Sequence, residues 1–191
     1  MKRNKDIIRE AFGRHTKAVD ESMRHILPDV EQGAALIMHA LRRGKKVLVC
    51  GNGGSAADSQ HFAAELVGRY KAERRGLPAI ALTVDTSALT AIGNDYGFEN
   101  IFKRQIEALG AAGDVLVAFS TGGKSKNILA AVAQARKQKL SIIILTGANG
   151  TRFAKTADTA IVVPTTETAR IQEVHELVYH AWCEYIDLKH V

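Results

Sequence analysis

Short runs of consecutive apolar residues alternate along the chain with longer segments in which apolar residues recur at helical spacing. The apolar runs lie at 46–49, 78–84, 114–119, 141–146 and 159–163. Continuous rather than alternating apolar character is typical of parallel strands covered on both faces. Helical segments between such strands indicate strand–helix–strand crossovers. The pattern therefore predicts an α/β fold, a three-layer sandwich around a five-stranded parallel sheet.

Two helices are predicted before the first strand, over residues 4–24 and 29–43, and a final helix from about 168 to 189. The apolar stripes of the two leading helices exceed what one face of the sheet needs to cover it. We expect these helices, about residues 4–43, to contribute to a homo-oligomer. The length of 191 residues suits one domain, predicted to span 1–191.

Composition narrows the class of protein. Hydrophobic residues make up 46% and charged residues 24%, as in ordinary globular domains, and no apolar run is long enough to span a bilayer. Two cysteines, Cys50 and Cys183, offer no disulfide framework, and the first residues do not lead into a signal-peptide core, so we expect a cytoplasmic protein.

The net charge of +6 suits an anionic ligand. The positive residues are dispersed among acids, and no basic stripe with interleaved aromatic residues is present. Lys71, Arg74 and Arg75 form the densest cluster, which we interpret as a solvated face. Composition therefore does not favour nucleic-acid binding.

Two glycine-rich loops each follow an apolar run and open into a helical pattern. The first is Gly-Asn-Gly-Gly-Ser at 51–55, and the second is Ser-Thr-Gly-Gly-Lys-Ser at 120–125. Glycine lets the backbone approach a ligand closely, and the following helix directs N–H groups and positive dipole at an anion. Two such loops at one sheet edge predict a small phosphorylated ligand between them.

Two nucleotide-binding motifs were weighed for these loops. Gly51, Gly53 and Ala56 satisfy the dinucleotide pattern, and Asp85 ends the second predicted strand, but it follows Gly51 by 34 residues rather than about 20. A Walker A loop would need glycine where Ala118 stands. Neither nucleotide site is favoured.

Helix capping is the structural alternative to ligand binding. Ser125 precedes a helical apolar series and can cap it. Ser55 and Asp58 fit a capping box. We favour ligand binding because the two loops occur together.

His61 and Glu65 are four residues apart, so they share a helix face and can hold one metal ion or one substrate. In the last helix, Gln172, Glu176 and His180 follow one line at the same spacing. A continuous helix would separate Gln172 from His180 by about 12 Å. Either Gln172 precedes the regular helix, or the two residues serve one site from different subunits.

Five segments occur together in the order known from one enzyme family: 51–55, 61–65, 93–97, 120–125 and 170–180. With them the chain resembles, over nearly its whole length, the phosphoheptose isomerases of the sugar-isomerase (SIS) fold. The resemblance implies a homotetramer with sites between subunits. It also implies conversion of sedoheptulose 7-phosphate to D-glycero-D-manno-heptose 7-phosphate, the first step of bacterial heptose biosynthesis for the lipopolysaccharide core or other heptosides.

The resemblance also implies the site residues. The family's metal ligands, with zinc the expected ion, map onto His61, Glu65, Gln172 and His180. The family's substrate contacts map onto Asn52, Gly53, Gly54, Asn94, Asp95, Ser120, Thr121, Gly122, Ser125 and Gln172.

Isomerisation through an enediol or enediolate needs a base at carbon, an acid at oxygen and stabilisation of the oxyanion. We assign the proton transfers to Glu65 and His180, with a metal polarising the C1 and C2 oxygens. Asp95 and Asp58 are second candidates, for orienting hydroxyls.

One departure from the family concerns the phosphate loop, where Gly122 replaces the usual second serine and removes a hydroxyl donor. The alternative function is that of a non-enzymatic SIS-domain partner of the replication initiator. That branch lacks the acid and histidine that correspond to Glu65 and His180, both of which are present here.

Overall fold

Five strands form one parallel sheet, with helices in the segments before, between and after them. The computed structural model describes residues 4–190. The strands are β1 (Val47–Cys50), β2 (Ala79–Ala81), β3 (Val115–Ser120), β4 (Ser141–Gly147) and β5 (Thr159–Val163). The helices are α1 (Asn4–His25), α2 (Leu27–Arg42), α3 (Gly54–Val67), α4 (Thr86–Tyr96), α5 (Ile101–Leu109), α6 (Lys126–Lys137), α7 (Thr151–Ala154) and α8 (Thr168–His190).

The order of the strands in the sheet is β2-β1-β3-β4-β5, and every neighbouring pair is parallel. From β1 the chain moves to one edge, and from β3 it moves to the other. Right-handed crossovers then place α3 and α6 on opposite faces. Ligands of such sheets bind at the carboxyl ends of the strands where the direction reverses, which here is between β1 and β3.

Two apolar cores cover the two faces of the sheet. Odd-numbered β1 residues such as Val47 and Val49 pack in one core with α1, α2, α3 and α8, where Trp182 is fully buried. Leu48 and Cys50 point to the other core, which α5, α6 and α7 complete. Gly33 lets α2 approach the Trp182 ring, because a Cβ there would lie 2.7 Å from a ring carbon. The predicted three-layer α/β sandwich is confirmed.

The predicted elements match the structure except at the second strand, predicted over 78–84 but ending at Ala81. The chain turns after Ala81, and the Asp85 carboxylate accepts from the Ala88 amide at 2.9 Å, which caps α4. The interpretation of Asp85 as a ribose ligand therefore has no support from its position.

The predicted domain bounds, 1–191, include residues 1–3 and 191, which lie outside the described residues. Within residues 4–190, no helix combines the length and the apolar character needed to cross a bilayer.

Candidate active site

The two glycine-rich loops meet at the point where the sheet reverses direction. Asn52, in the first loop, and Asn127, in the first turn of α6, exchange two side-chain hydrogen bonds of 2.9 and 2.8 Å. The Asn127 amide oxygen also accepts from the Ile128 backbone N–H at 3.0 Å. This pair of amides joins the start of α6 to the first loop across β1 and β3, so the two loops lie together at the carboxyl edge of the sheet.

The first loop is shaped by close backbone contacts. A Cβ on Gly51 would lie 2.3 Å from the Ser55 carbonyl oxygen, and Gly53 has φ 58°. Helix α3 begins at Gly54, so Ser55 lies inside its first turn instead of at the N-cap. The capping-box interpretation of Ser55 and Asp58 is therefore wrong. At the start of α3 the Ser55 and Ala56 amides donate to the Asn52 and Gly53 carbonyls at 3.1 and 3.0 Å, so the loop backbone itself closes the first turn of the helix.

Hydrogen bonds from β4 hold the second loop in place. The Ser120 carbonyl accepts from the Thr146 hydroxyl at 2.6 Å, and the Thr121 carbonyl accepts from the Gly147 amide at 3.0 Å. Gly123 has φ 65°, and a Cβ there would lie 2.8 Å from backbone. This backbone is fixed, so the positions of its side chains are also fixed.

Ser125 occupies the N-cap position of α6, but its hydroxyl makes no cap bond to the described residues of that helix. The capping interpretation of Ser125 is wrong for the same reason as that of Ser55: neither hydroxyl serves its helix. Ser55 is instead buried, with its hydroxyl 3.5 Å from the Gln172 amide nitrogen. Gly122 has no described atom within 4 Å of the position its Cβ would take, so the site tolerates a side chain there.

His61 is the centre of a polar cluster between α3 and α8. Its Nε2 lies 3.1 Å from Glu65 Oε1 and 3.4 Å from His180 Nε2. Its Nδ1 lies 2.9 Å from the Tyr179 hydroxyl and 3.6 Å from Glu176 Oε1. One imidazole therefore contacts an acid and a further ring group on each of its two sides.

The donor set of this cluster fits a metal ion. Among the described residues, His61, Glu176 and His180 offer ligand atoms that all lie within 4.8 Å of one another. Four nitrogen and oxygen ligands at about 2.0–2.1 Å from a tetrahedral ion stand about 3.3 Å apart. The separations from His61 Nε2 to Glu65 and to His180, 3.1 and 3.4 Å, agree with that spacing. Of the predicted ligands, His61 and His180 belong to this group, whereas Glu65 contacts His61 at 3.1 Å without belonging to it and Gln172 lies at the first loop.

Gln172 lies at the other end of the crevice. Its amide nitrogen is 3.5 Å from the Ser55 hydroxyl, and a Cβ on Gly54 would lie 2.5 Å from the same nitrogen. Helix α8 is continuous from Thr168, so the alternative that Gln172 precedes the regular helix is wrong. Within one chain Gln172 therefore faces the first loop, about two helical turns from His180.

The predicted site residues Asn94, Asp95 and Asp58 lie in different surroundings. Asn94 and Asp95 are on the last turn of α4, exposed, with a 2.8 Å hydrogen bond from the Asn94 amide to the Asp95 carboxylate. Asp58 has one buried carboxylate oxygen with no partner among the described residues. Burial, assisted by the charge of Glu176 and partly offset by His61, raises the pKa of Asp58 to about 6. A carboxyl of this kind stands between the first loop and the histidine cluster.

Sequence analysis did not select Glu176 as a ligand, nor Tyr179 or Asn127 at all. Burial, assisted by Glu176, raises the pKa of Tyr179, so the phenol stays protonated beside His61. Glu176 lies on the same face of α8 as Gln172 and His180, and this spacing is the feature of the sequence that could have identified it as a ligand. The Tyr179 contact joins residues more than a hundred positions apart, and no local spacing reports it.

Comparisons with known proteins agree with this geometry. The SIS domain family model matches residues 12–147. The phosphoheptose isomerase of Campylobacter concisus is 51% identical over 183 residues, 96% of each chain. Two solved phosphoheptose isomerase structures superpose closely: that of Neisseria gonorrhoeae (TM-score 0.92, 45% identity, 96% of this chain and 98% of that one) and that of Francisella tularensis (0.94, 39%, 98% and 100%).

These relatives give no support to the alternative of a non-enzymatic partner of the replication initiator. The sequence similarity spans both loops, the His61 cluster and α8. The chain belongs to the SIS domain family and, within it, to the phosphoheptose isomerases.

Proposed function

We propose that this protein is a ketose–aldose isomerase that converts sedoheptulose 7-phosphate to D-glycero-D-manno-heptose 7-phosphate, the first step of bacterial heptose biosynthesis. One observation carries the proposal: two loops suited to phosphate meet at the switch point of the sheet, and the helix that leaves the first loop carries His61 and Glu65. The relatives above bear the name of this activity.

The phosphate end of the substrate binds the second loop. Ser120, Thr121 and Ser125 donate their hydroxyls to the phosphate oxygens, together with backbone N–H groups of 120–125. Lys124 adds positive charge at the loop, which offsets the hydroxyl that Gly122 lacks. The anchor positions the reacting carbons, and positioning of this kind lowers the barrier without taking part in bond changes.

The sugar end lies along the first loop and α3. Asn52, Gly53, Gly54 and Gln172 line this part of the crevice, and Gln172 reaches it from α8. Asn94 and Asp95 complete the proposed substrate contacts from α4. Amide and carboxylate groups of this kind hydrogen-bond sugar hydroxyls and fix which carbons are presented for reaction.

Glu65 and His180 carry out the proton transfers. One takes the proton from C1 and the other protonates the C2 oxygen, which gives the enediol; return of a proton to C2 and loss of the C1 hydroxyl proton then give the aldose. Both groups contact His61, so the two proton carriers belong to one cluster. Asp58 and Asp95 orient hydroxyls.

His61, Glu65, Gln172 and His180 are the proposed zinc ligands. When bound, zinc supplies a Lewis acid that stabilises negative charge on the C1 and C2 oxygens. Glu65 and His180 would each use the same lone pairs to hold zinc or to accept a proton, so the two roles compete at each residue. Because Gln172 and His180 lie apart along one helix, Gln172 joins the other ligands from a neighbouring subunit.

We infer a homotetramer with active sites between subunits, formed by one domain over 1–191 and with α1 and α2 contributing to assembly. Phe12 and Ile8, one turn apart on α1, are 72% and 62% exposed, too apolar to remain in water along one stripe. The cytoplasm is the proposed location, because buried thiols at Cys50 and Cys183 suit a reducing compartment. We propose no membrane partner and no nucleic-acid partner.

The test is an isomerase assay with sedoheptulose 7-phosphate and no added nucleotide. We expect turnover in the purified protein, loss of turnover with a chelator and recovery on addition of zinc. The matched control is Lys137→Gln, which removes one exposed charge from the last residue of α6, at the end of that helix away from the second loop. Absence of product with zinc-loaded, correctly folded protein would contradict the proposal.

A further inference from the structure

The segment between α3 and β2, residues 68–78, lacks regular secondary structure but is held at both ends and in the middle; we call it the strap. Sequence analysis interprets its basic cluster as a solvated face. That interpretation is wrong for Arg74, whose side chain is 3% exposed. The strap is therefore packed against the rest of the protein, and it contacts the candidate active site.

A buried ion pair anchors the strap to α8. The Arg74 guanidinium lies 2.7 Å from Asp187, whose side chain is 4% exposed. The same carboxylate accepts from the backbone amides of Lys71 and Ala72 at 2.7 and 2.8 Å. Burial raises the pKa of Asp187, but these two amides and Arg74 more than offset it, so the pKa lies below its usual value. Asp187 therefore stays ionised and keeps the strap in one conformation.

Arg74 also fixes the end of α3 that carries Glu65. Its guanidinium donates to the backbone carbonyls of Glu65 at 2.8 Å and Leu66 at 3.0 Å. These carbonyls belong to the last turn of the helix, which has no intrahelical donor for them. A buried cation on that turn also matches the negative end of the helix dipole.

At the start of the strap, the Tyr70 ring stacks on the His180 imidazole. Their centroids are 5.4 Å apart and their planes differ by 24°. The other two rings on His180, those of His61 and Tyr179, meet it edge-on at 76° and 73°. Tyr70 also packs against the core, and the Lys71 ammonium lies 5.1 Å from its ring centre. Of these three rings, Tyr70 is the one that sets the plane of His180.

We propose that Tyr70 is a positioning residue for the isomerase reaction: its ring, held by the strap, fixes the plane of the His180 imidazole and so aims Nε2 at the site. The inference rests on the proposed role of His180. It adds that the strap, outside every segment of the resemblance, is part of the machinery. A free imidazole on a half-exposed helix face would rotate among several conformations, and each wrong one would remove both a zinc ligand and a proton carrier.

The test compares Tyr70→Leu with Tyr70→Phe. Leucine fills the contact with the core but offers no flat face to His180, whereas phenylalanine keeps the face. We expect Tyr70→Leu to lower kcat about tenfold and to weaken zinc binding about tenfold, measured by competition with a chromophoric chelator, with KM within about twofold. We expect Tyr70→Phe to keep both values near wild type and both variants to melt near the wild-type temperature.

Wild-type kcat and zinc affinity in Tyr70→Leu would overturn the inference, and so would equal losses in Tyr70→Phe, because the ring face would then not be what matters. The two proposals fail separately. If His180→Gln keeps full activity, the proposed role of His180 is wrong. If His180→Gln is inactive and Tyr70→Leu is unchanged, the positioning role alone is wrong.

Discussion

The two glycine-rich loops follow adjacent strands and face one crevice, but their glycines have different physical roles. In the first loop, Gly51 touches the backbone of Ser55 so closely that no side chain fits. In the second, Gly122 faces open space and only Gly123 is confined. The first loop is built to bring a helix with reactive groups against the crevice, and the second is built to present hydroxyls. Under the proposed function, the first loop belongs to a chemical half of the site and the second loop to an anchoring half.

We expect the largest effects from substitutions in the chemical half of the site. We expect Glu65→Gln and His180→Gln each to lower kcat by about 10³-fold or more, because each removes a proton carrier while keeping shape. The oligomer should remain intact, since both changes leave the cores untouched. Steady-state kinetics and size-exclusion chromatography measure the two effects. Near-wild-type turnover in either variant would contradict its assignment.

The glycines themselves provide a second test, on stability. Gly51→Ala places a Cβ 2.3 Å from the Ser55 carbonyl, so we expect a loss at the upper end of about 1–3 kcal/mol in the free energy of unfolding. Gly122→Ala, its matched control in the other loop, should stay within about 0.5 kcal/mol of wild type. Urea unfolding gives both values. Equal losses would mean that the loops are not built differently.

In the anchoring half, we expect Ser125→Ala to weaken binding of the substrate phosphate. The hydroxyl does not cap α6, so its removal should leave stability unchanged. A lost hydrogen bond to a charged group costs about 1.5–3 kcal/mol, and we expect KM to rise at least about tenfold with kcat changed far less. Ser141→Ala, at the amino end of β4 and so at the opposite edge of the sheet from the loop, serves as control. A fall in kcat with constant KM would assign Ser125 to the chemical half.

The buried His175, which lies against the strand that supports the second loop, predicts that the stability of the protein depends on pH. His175 is fully buried with Nε2 3.4 Å from the Thr146 carbonyl, and burial lowers its pKa to about 4, partly offset by that carbonyl. The unfolded chain, with a pKa of about 6.5, binds the proton first, so stability is full above that pH and falls as pH decreases toward 4. Between pH 7.5 and 5.0 we expect wild type to lose about 2 kcal/mol more than His175→Phe, by urea unfolding. Parallel pH profiles would show that His175 is not the titrating group.

The smallest expected effect is a gain. Gly122→Ser restores the hydroxyl that related phosphate loops carry, in a position with open space. We expect KM to fall about threefold to tenfold, with kcat and stability unchanged, as one further hydrogen bond of about 1 kcal/mol would give. Gly122→Ala is the control for the added Cβ. An increase in KM for Gly122→Ser alone would place the substrate phosphate away from this loop.

Sequence patterns predict most of the fold because they are local. The apolar runs and helical periodicity place all five strands and the long helices, and glycine followed by a helical pattern locates the crevice. Ser55 and Ser125 were open to a capping interpretation because a hydroxyl before an apolar series serves either purpose. Only the start of α3 at Gly54 and the bonds of α6 decide between them.

The rest of the site depends on contacts between distant segments. Tyr70 meets His180, and Arg74 meets Asp187, across more than a hundred residues. Composition presents Arg74 as one charge in a basic cluster, and nothing in its neighbours indicates a buried partner on the last helix. The spacing of Tyr179 along α8 likewise predicts only a buried position on the helix, and it does not indicate that the Tyr179 hydroxyl contacts His61.

The central claim is that phosphate binds the second loop while the carbons that react lie at Glu65. The most direct measurement is a crystal structure of the Glu65→Gln variant with sedoheptulose 7-phosphate. We expect the phosphate within hydrogen-bond distance of the Ser120 and Ser125 hydroxyls and the C1–C2 bond beside residue 65. A phosphate bound instead in the cavity of ≈ 510 Å³ beside Asn149 and Arg152, with neither the Ser120 nor the Ser125 hydroxyl within hydrogen-bond distance, would contradict the account.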